Sequence, residues 1–133
     1  MVLLDANILI DIFGQDPDWW QWSLARMREA RQRGPLYIND IVYAESSTRF
    51  ASMKLFEATL ERAEVIVLPI PRPALFLAGK AFLDYRRAGG SKASILPDFF
   101  IGAHAAIEQL AVITRDTRRY RHYFPTVELI APE

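Results

Sequence analysis

The sequence predicts an α/β domain: a three-layer α/β/α sandwich around a mainly parallel central sheet of four to five strands. Two observations carry this. Short apolar runs alternate with longer helical segments along the whole chain, the pattern that builds parallel sheets covered by helices. The first run, Met1-Val2-Leu3-Leu4, ends abruptly at Asp5, and a late one, Leu110-Ala111-Val112-Ile113-Thr114, ends at Arg115-Asp116. Each is a short buried strand with an acid just past its C-terminal end, where open α/β sheets place their ligands.

The elements follow in order. Ala6 to Phe13 begins a helix beside Asp5, and Gly14 stops it. Asp16-Pro17-Asp18 reads as a new helix start, because proline suits the first turn and acids complement the helix dipole; that helix runs to about Arg33, where Gly34-Pro35 break it. Leu36-Tyr37-Ile38 is the second strand, and Asn39 or Asp40 caps the helix that carries Ile41 to Glu45. A further helix covers Leu55 to Glu64. The third strand is Val65 to Leu68, followed by Pro69, Pro71 and Pro73 and a helix to about Arg87. Arg86 to Ser91 is a loop, and Pro97-Asp98 opens a helix whose Gly102, Ala103, Ala105 and Ala106 allow close packing on the sheet. Ala111 to Thr114 is the fourth strand, with Val127 to Ile130 as a fifth. No repeat, linker or low-complexity tract interrupts the chain.

Composition narrows the function classes. With 133 residues, 51% of them hydrophobic, the chain fits one domain spanning 1–133 with a real core, since domains of roughly 100–150 residues are the commonest size. Cysteine is absent, which excludes disulfides and thiolate metal sites and suits a reducing compartment. The longest apolar stretch, Val65 to Ile70, is far short of the ~18–20 residues of a membrane span, so the expectation is a soluble cytoplasmic protein with no membrane association. The zero formal net charge gives no global field for nucleic acid, leaving only local basic stripes.

Four acids, Asp5, Glu45, Asp98 and Asp116, fall where strands or their neighbouring helices meet turns. Several carboxylates on one cleft suit Mg²⁺ or Mn²⁺, hard cations that take oxygen ligands in octahedral geometry. Such an ion relieves the mutual repulsion of the acids, lowers the pKa of water and stabilises charge on a phosphoryl oxygen, so phosphodiester hydrolysis is the favoured reaction. Taken singly, each acid also has a plain explanation. Asp5 can cap a helix, Asp98 behind Pro97 complements a helix N-terminus, and Asp116 can pair with Arg115, Arg118 or Arg119. Glu45, set among Ile41, Val42, Tyr43 and Ala44, is harder to dismiss, and the four together favour a site.

The remaining polar residues read more simply. Asp11 is assigned to a solvent-facing helix position, Asp40 to a cap, Asp84 to solvent beside Arg86 and Arg87, His104 to packing and His122 to the surface. Trp19, Trp20 and Trp22 cannot all point one way on a helix, and partial core packing is expected of them. Arg115, Arg118, Arg119 and Arg121, with Tyr120 and Tyr123 interleaved, form either a strip for an RNA backbone or a solvated surface.

Four stretches stand out together: Leu3-Leu4-Asp5-Ala6-Asn7, Tyr43-Ala44-Glu45, Leu96-Pro97-Asp98 through Ala106, and Ile113-Thr114-Arg115-Asp116 through Tyr120. In them the chain resembles PIN-domain ribonucleases, and among these VapC-type toxins of toxin–antitoxin pairs. The order and spacing of the stretches cover essentially the whole domain. The resemblance implies a PIN-like fold and Mg²⁺- or Mn²⁺-dependent cleavage of RNA, with Asp5, Glu45, Asp98 and Asp116 as catalytic and metal-binding acids. It further implies Asn7 and Thr114 in support, a homodimer, and a cognate antitoxin that blocks the cleft. Arg115, Arg118 and Arg119 are the residues expected to touch RNA. The alternatives are a housekeeping PIN nuclease without an antitoxin, or an inactive PIN-like RNA- or protein-binding module. An aspartyl-phosphate enzyme fits poorly, because Ala6-Asn7 lacks the second acid of an Asp-x-Asp nucleophile motif and no lysine follows the fourth strand.

Overall fold

The computed structural model describes residues 1–92 and 96–132. Five strands, β1 (Val2–Leu4), β2 (Leu36–Asn39), β3 (Val65–Leu68), β4 (Ala111–Ile113) and β5 (Leu129–Ile130), form one sheet in the order β3-β2-β1-β4-β5. Every pairing is parallel. Each connection therefore crosses over through helices: α1 (Ala6–Phe13) and α2 (Trp20–Arg33) precede β2, and α3 (Asp40–Ser47) and α4 (Met53–Arg62) precede β3. Next, α5 (Arg72–Arg87) and α6 (Leu96–Glu108) precede β4, and α7 (Arg118–Tyr123) precedes β5. The central strands are apolar on both faces, as a sheet covered by two helical layers demands: Val2, Leu3, Leu4, Leu36, Ile38, Val112 and Ile113 are all buried. Among the described residues no helix is long and apolar enough to cross a membrane.

Four details depart from the sequence reading. Helix α2 starts at Trp20, later than Asp16-Pro17-Asp18 suggests, because the Asp16 carboxylate accepts the amides of Asp18 (2.9 Å) and Trp19 (3.1 Å) and closes a turn first. Helix α4 starts at Met53, earlier than Leu55, since Ser52 caps it by accepting the Leu55 amide. Arg118–Tyr123 forms the short α7, where the sequence reading assigned a basic strip and no helix. Asn39, not Asp40, caps α3, its side-chain oxygen accepting the amides of Ile41 and Val42 at 3.1 and 3.0 Å.

One close approach fixes the layer spacing near the site. A Cβ on Gly102 would come within 2.3 Å of the Phe124 ring, so only glycine lets α6 lie against the chain after α7. The three tryptophans are half-buried, with Trp22 packed on the core and Trp19 edge-on to it at 5.8 Å.

Candidate active site

Strands β1, β2 and β3 follow one another to one side of the sheet, whereas β4 and β5 lie on the other side of β1. The order reverses between β1 and β4, and a parallel sheet opens a crevice at such a point. Asp5 leaves the end of β1 there, its amide held by the Ile113 carbonyl of β4 at 3.0 Å. Thr114 and Asp116 leave the end of β4 beside it. Helix α3 brings Glu45, and the first turn of α6 brings Asp98.

Asp5 is not a helix cap. It stands at the N-cap position of α1 without a capping hydrogen bond, and its buried Oδ2 instead accepts the hydroxyls of Thr114 and Tyr120, both at 2.8 Å. The Thr114 oxygen in turn accepts the Asp116 amide at 3.1 Å and, more weakly, the Asn7 side chain at 3.4 Å. Asn7 also accepts the Arg115 amide at 3.4 Å. Tyr120 is a site residue that sequence reasoning missed. Its hydroxyl lies 115 positions from Asp5, and only its place in the Arg115-to-Tyr120 stretch hinted at it.

The carboxyls sense one another. Burial pushes Asp5 above the ordinary carboxylate range, only partly offset by the hydroxyls of Thr114 and Tyr120 and by the nearby backbone amides of Ala6 and Asn7. Glu45 is raised by burial and then by the charge of Asp5. Asp98 is pushed up to about 7, first by burial and then by Asp5, with Glu45 and Asp116 adding and Arg119 opposing. Burial also pushes Asp116 upward, but Arg118 and Arg119 outweigh it and hold this acid below the ordinary value. Burial and the Asp5 charge raise Tyr120 well above its usual range, so the phenol stays protonated and donates.

Among the described residues no three acids or histidines stand close enough to grip one ion directly. The cluster nevertheless fits a hard divalent cation: its donors are all oxygen, burial raises three of the four carboxyls, and the charges of Asp5, Glu45 and Asp116 disfavour that of Asp98. Because Asp98 is raised, its protonated form favours the metal-free fold; that contribution is full below 3.8 and is lost as pH rises through about 7. In chelator, thermal unfolding should therefore show stability falling from mildly acidic to neutral pH, with Mg²⁺ raising Tm more at pH 8 than at pH 5.5. Equal stabilisation at both pH values would show that no raised carboxyl takes part in cation binding.

Behind the acids lies an ion pair that corrects the solvent-facing assignment of Asp11. Asp11 is 1% exposed, accepts Ser23 Oγ at 2.9 Å, and takes a two-pronged grip from Arg115, Nε at 2.7 Å and Nη2 at 2.8 Å. The guanidinium also lies 5.0 Å from the centre of the Trp19 ring. Asn7 and Asp11, one helical turn apart, thus hold the backbone and side chain of the same turn residue, between Thr114 and Asp116. That spacing is the signal the sequence offered. Arg118 and Arg119 remain beside Asp116, at 3.4 and 3.6 Å, with Arg118 81% exposed. His104 is buried as packing predicts: Asn39 uses its oxygen on α3, so its amide donates to His104 Nδ1 (3.2 Å), which places the imidazole proton on Nε2.

A sheet-edge acid cluster joined to a Thr-x-Asp turn now has a family match, since the PIN domain profile aligns with residues 2–125. The chain belongs to the PIN-domain family. Solved structures agree on the fold. VapBC2 from Rickettsia felis bound to a promoter DNA fragment superposes with TM-score 0.72 at 17% identity, covering 98% of each chain. VapBC from Salmonella typhimurium, bound to DNA, gives 0.70 at 20%, covering 98% of this PIN domain and 96% of that chain. A toxin–antitoxin complex from Klebsiella pneumoniae gives 0.66 at 22%, covering 100% and 98%. No curated protein sequence matches the chain.

Proposed function

We propose that this PIN domain is a divalent-metal-dependent endoribonuclease acting as the toxin of a toxin–antitoxin pair, with Mg²⁺ or Mn²⁺ as its ion. The observation that carries the reading is Asp98, whose carboxyl is held at about 7 by burial and by the charges of Asp5, Glu45 and Asp116. Carboxyls gathered at the switch point of a parallel sheet, where the charges of three disfavour that of the fourth, have their natural use in holding a cation. Asp5, Glu45, Asp98 and Asp116 would hold it, and it would supply an activated water and stabilise charge on the phosphoryl oxygens. Thr114 and Tyr120 both donate to Oδ2 of Asp5, which fixes the orientation of its carboxyl beside the other acids. Asn7 and the Asp11–Arg115 pair hold the Thr114–Asp116 turn in register with Asp5. Arg118 and Arg119 offer guanidinium groups to the RNA backbone, whereas Arg115 is committed to Asp11.

The toxin reading draws on the solved VapBC and toxin–antitoxin complexes that share this fold. An acidic cleft accepts a basic side chain from a partner peptide, so an antitoxin segment carrying arginine or lysine would block it, and the toxin itself would pair as a homodimer. Chelator should stop cleavage of RNA, Mg²⁺ or Mn²⁺ should restore it, and Zn²⁺ should restore it poorly, since the acids offer zinc none of the nitrogen or sulfur ligands it prefers. Expression alone should arrest growth, and co-expression with the neighbouring gene should yield a complex without nuclease activity. Cleavage that persists in chelator would overturn the metal-dependent reading; normal growth with no partner recovered would leave a housekeeping nuclease.

A further inference from the structure

Next to the acids, the C-terminal part of α5 and helix α7 border a shallow hollow of about 260 Å³ lined by Tyr85, Arg118, Arg119, His122 and Tyr123. No acid lines it. The sequence does not place Tyr85 near the basic strip; the fold brings it there across more than thirty positions.

The aromatic walls are fixed by the core. The Tyr85 hydroxyl accepts the Lys92 amide at 3.1 Å, and its ring lies 5.9 Å from Phe82 and 5.8 Å from Phe99. A Cβ on Gly90 would come within 2.3 Å of that ring, so glycine is needed for the loop to close over it. Tyr123 packs edge-on to Phe99 at 5.0 Å, to Tyr85 at 6.4 Å and to His122 at 4.4 Å. The cationic part is different in kind: Arg118 is 81% exposed and Arg119 20%, and both lean on Asp116 at long distances. One set of groups is rigid and aromatic, and the other carries charge on side chains tethered to a residue of the acid cluster.

We propose that this hollow is a nucleobase subsite, receiving a base of the RNA strand close to the phosphate that lies over the acids. Aromatic and imidazole surfaces pack against any base because every base has a π-face, and guanidinium groups take the adjoining phosphates. The volume lies below the ~300–1,000 Å³ of drug-sized ligand sites, which suits one base. Arg118 and Arg119, between the hollow and Asp116, couple base placement to phosphate placement. The inference rests on the nuclease reading and adds where the strand is held.

The test uses the full chain with Mg²⁺ and a short single-stranded RNA of mixed sequence, together with copies of that RNA made abasic at successive positions. His122→Ala changes an exposed side chain and leaves the fold intact. It should raise KM about tenfold with kcat within about twofold, as the loss of one base–aromatic contact predicts. One abasic position should raise KM in the wild type by a similar factor and have no further effect in His122→Ala. Arg118→Gln should instead make binding less dependent on salt. Equal KM for wild type and His122→Ala, or abasic effects that simply multiply with the variant, would overturn the subsite while leaving the nuclease reading standing. Variants that lose binding to a partner protein and keep RNA binding would assign the hollow to protein and also overturn it. A wild type that neither binds nor cleaves any RNA would overturn both readings.

Discussion

Asp98→Asn should all but remove RNA cleavage and make the metal-free protein more stable at neutral pH. The two effects have one cause. Asp98 is half-buried beside the charges of Asp5, Glu45 and Asp116, so its own charge is unfavourable and its carboxyl sits at about 7. Asparagine keeps the shape and removes the charge. The rate should fall at least about a hundredfold, on the order of what removing one pre-organised charge-stabilising group costs. In chelator at pH 8 the variant should melt a few degrees above the wild type, and its stability should no longer decline as pH rises through about 7. Cleavage kinetics and thermal unfolding of the two proteins side by side decide it. A folded variant that cleaves like the wild type would remove Asp98 from the site, and one that melts lower would show that its carboxylate is satisfied without a cation.

The largest expected loss of stability comes from the ion pair behind the acids. Arg115→Met keeps the length of the side chain over Trp19 but leaves Asp11, 1% exposed, without its two-pronged partner. Stranding one member of a buried pair costs about 3–5 kcal/mol, far more than the pair itself contributes. Adding Asp11→Asn should recover most of that loss, because the buried charge is then gone while Ser23 keeps an acceptor. Urea unfolding of the single and double variants gives the coupling directly. The recovered double variant should still cleave slowly, since the turn between Thr114 and Asp116 has lost its clamp. Additive losses in the cycle would show that water reaches Asp11 in the single variant.

The four acids were legible because each sits at a punctuation mark that a sequence displays. Asp5 ends an apolar run, Asp98 follows a proline, Asp116 follows another apolar run, and Glu45 breaks a largely apolar helix. Strand and helix types were legible for the same reason: apolar periodicity and caps are properties of neighbouring residues. Asp11 shows the limit. In the sequence it is one polar residue on a short helix; in the fold its partner lies 104 positions away and removes it from water. Tyr120 and Tyr85 changed meaning in the same way, one turned inward onto Asp5 and the other set into the wall of a hollow beside α7.

The sequence by itself determined the α/β class, the parallel sheet and the residue types able to hold a hard cation, since these follow from local pattern and side-chain chemistry. The tertiary structure alone decided which oxygen of Asp5 is occupied, which arginine is committed to a buried acid and which remain exposed. It also decided that Asp98 is the carboxyl held near 7. Hydrogen-bond partners and desolvation are set by residues about a hundred positions apart meeting between β1 and β4, and no local pattern encodes that meeting.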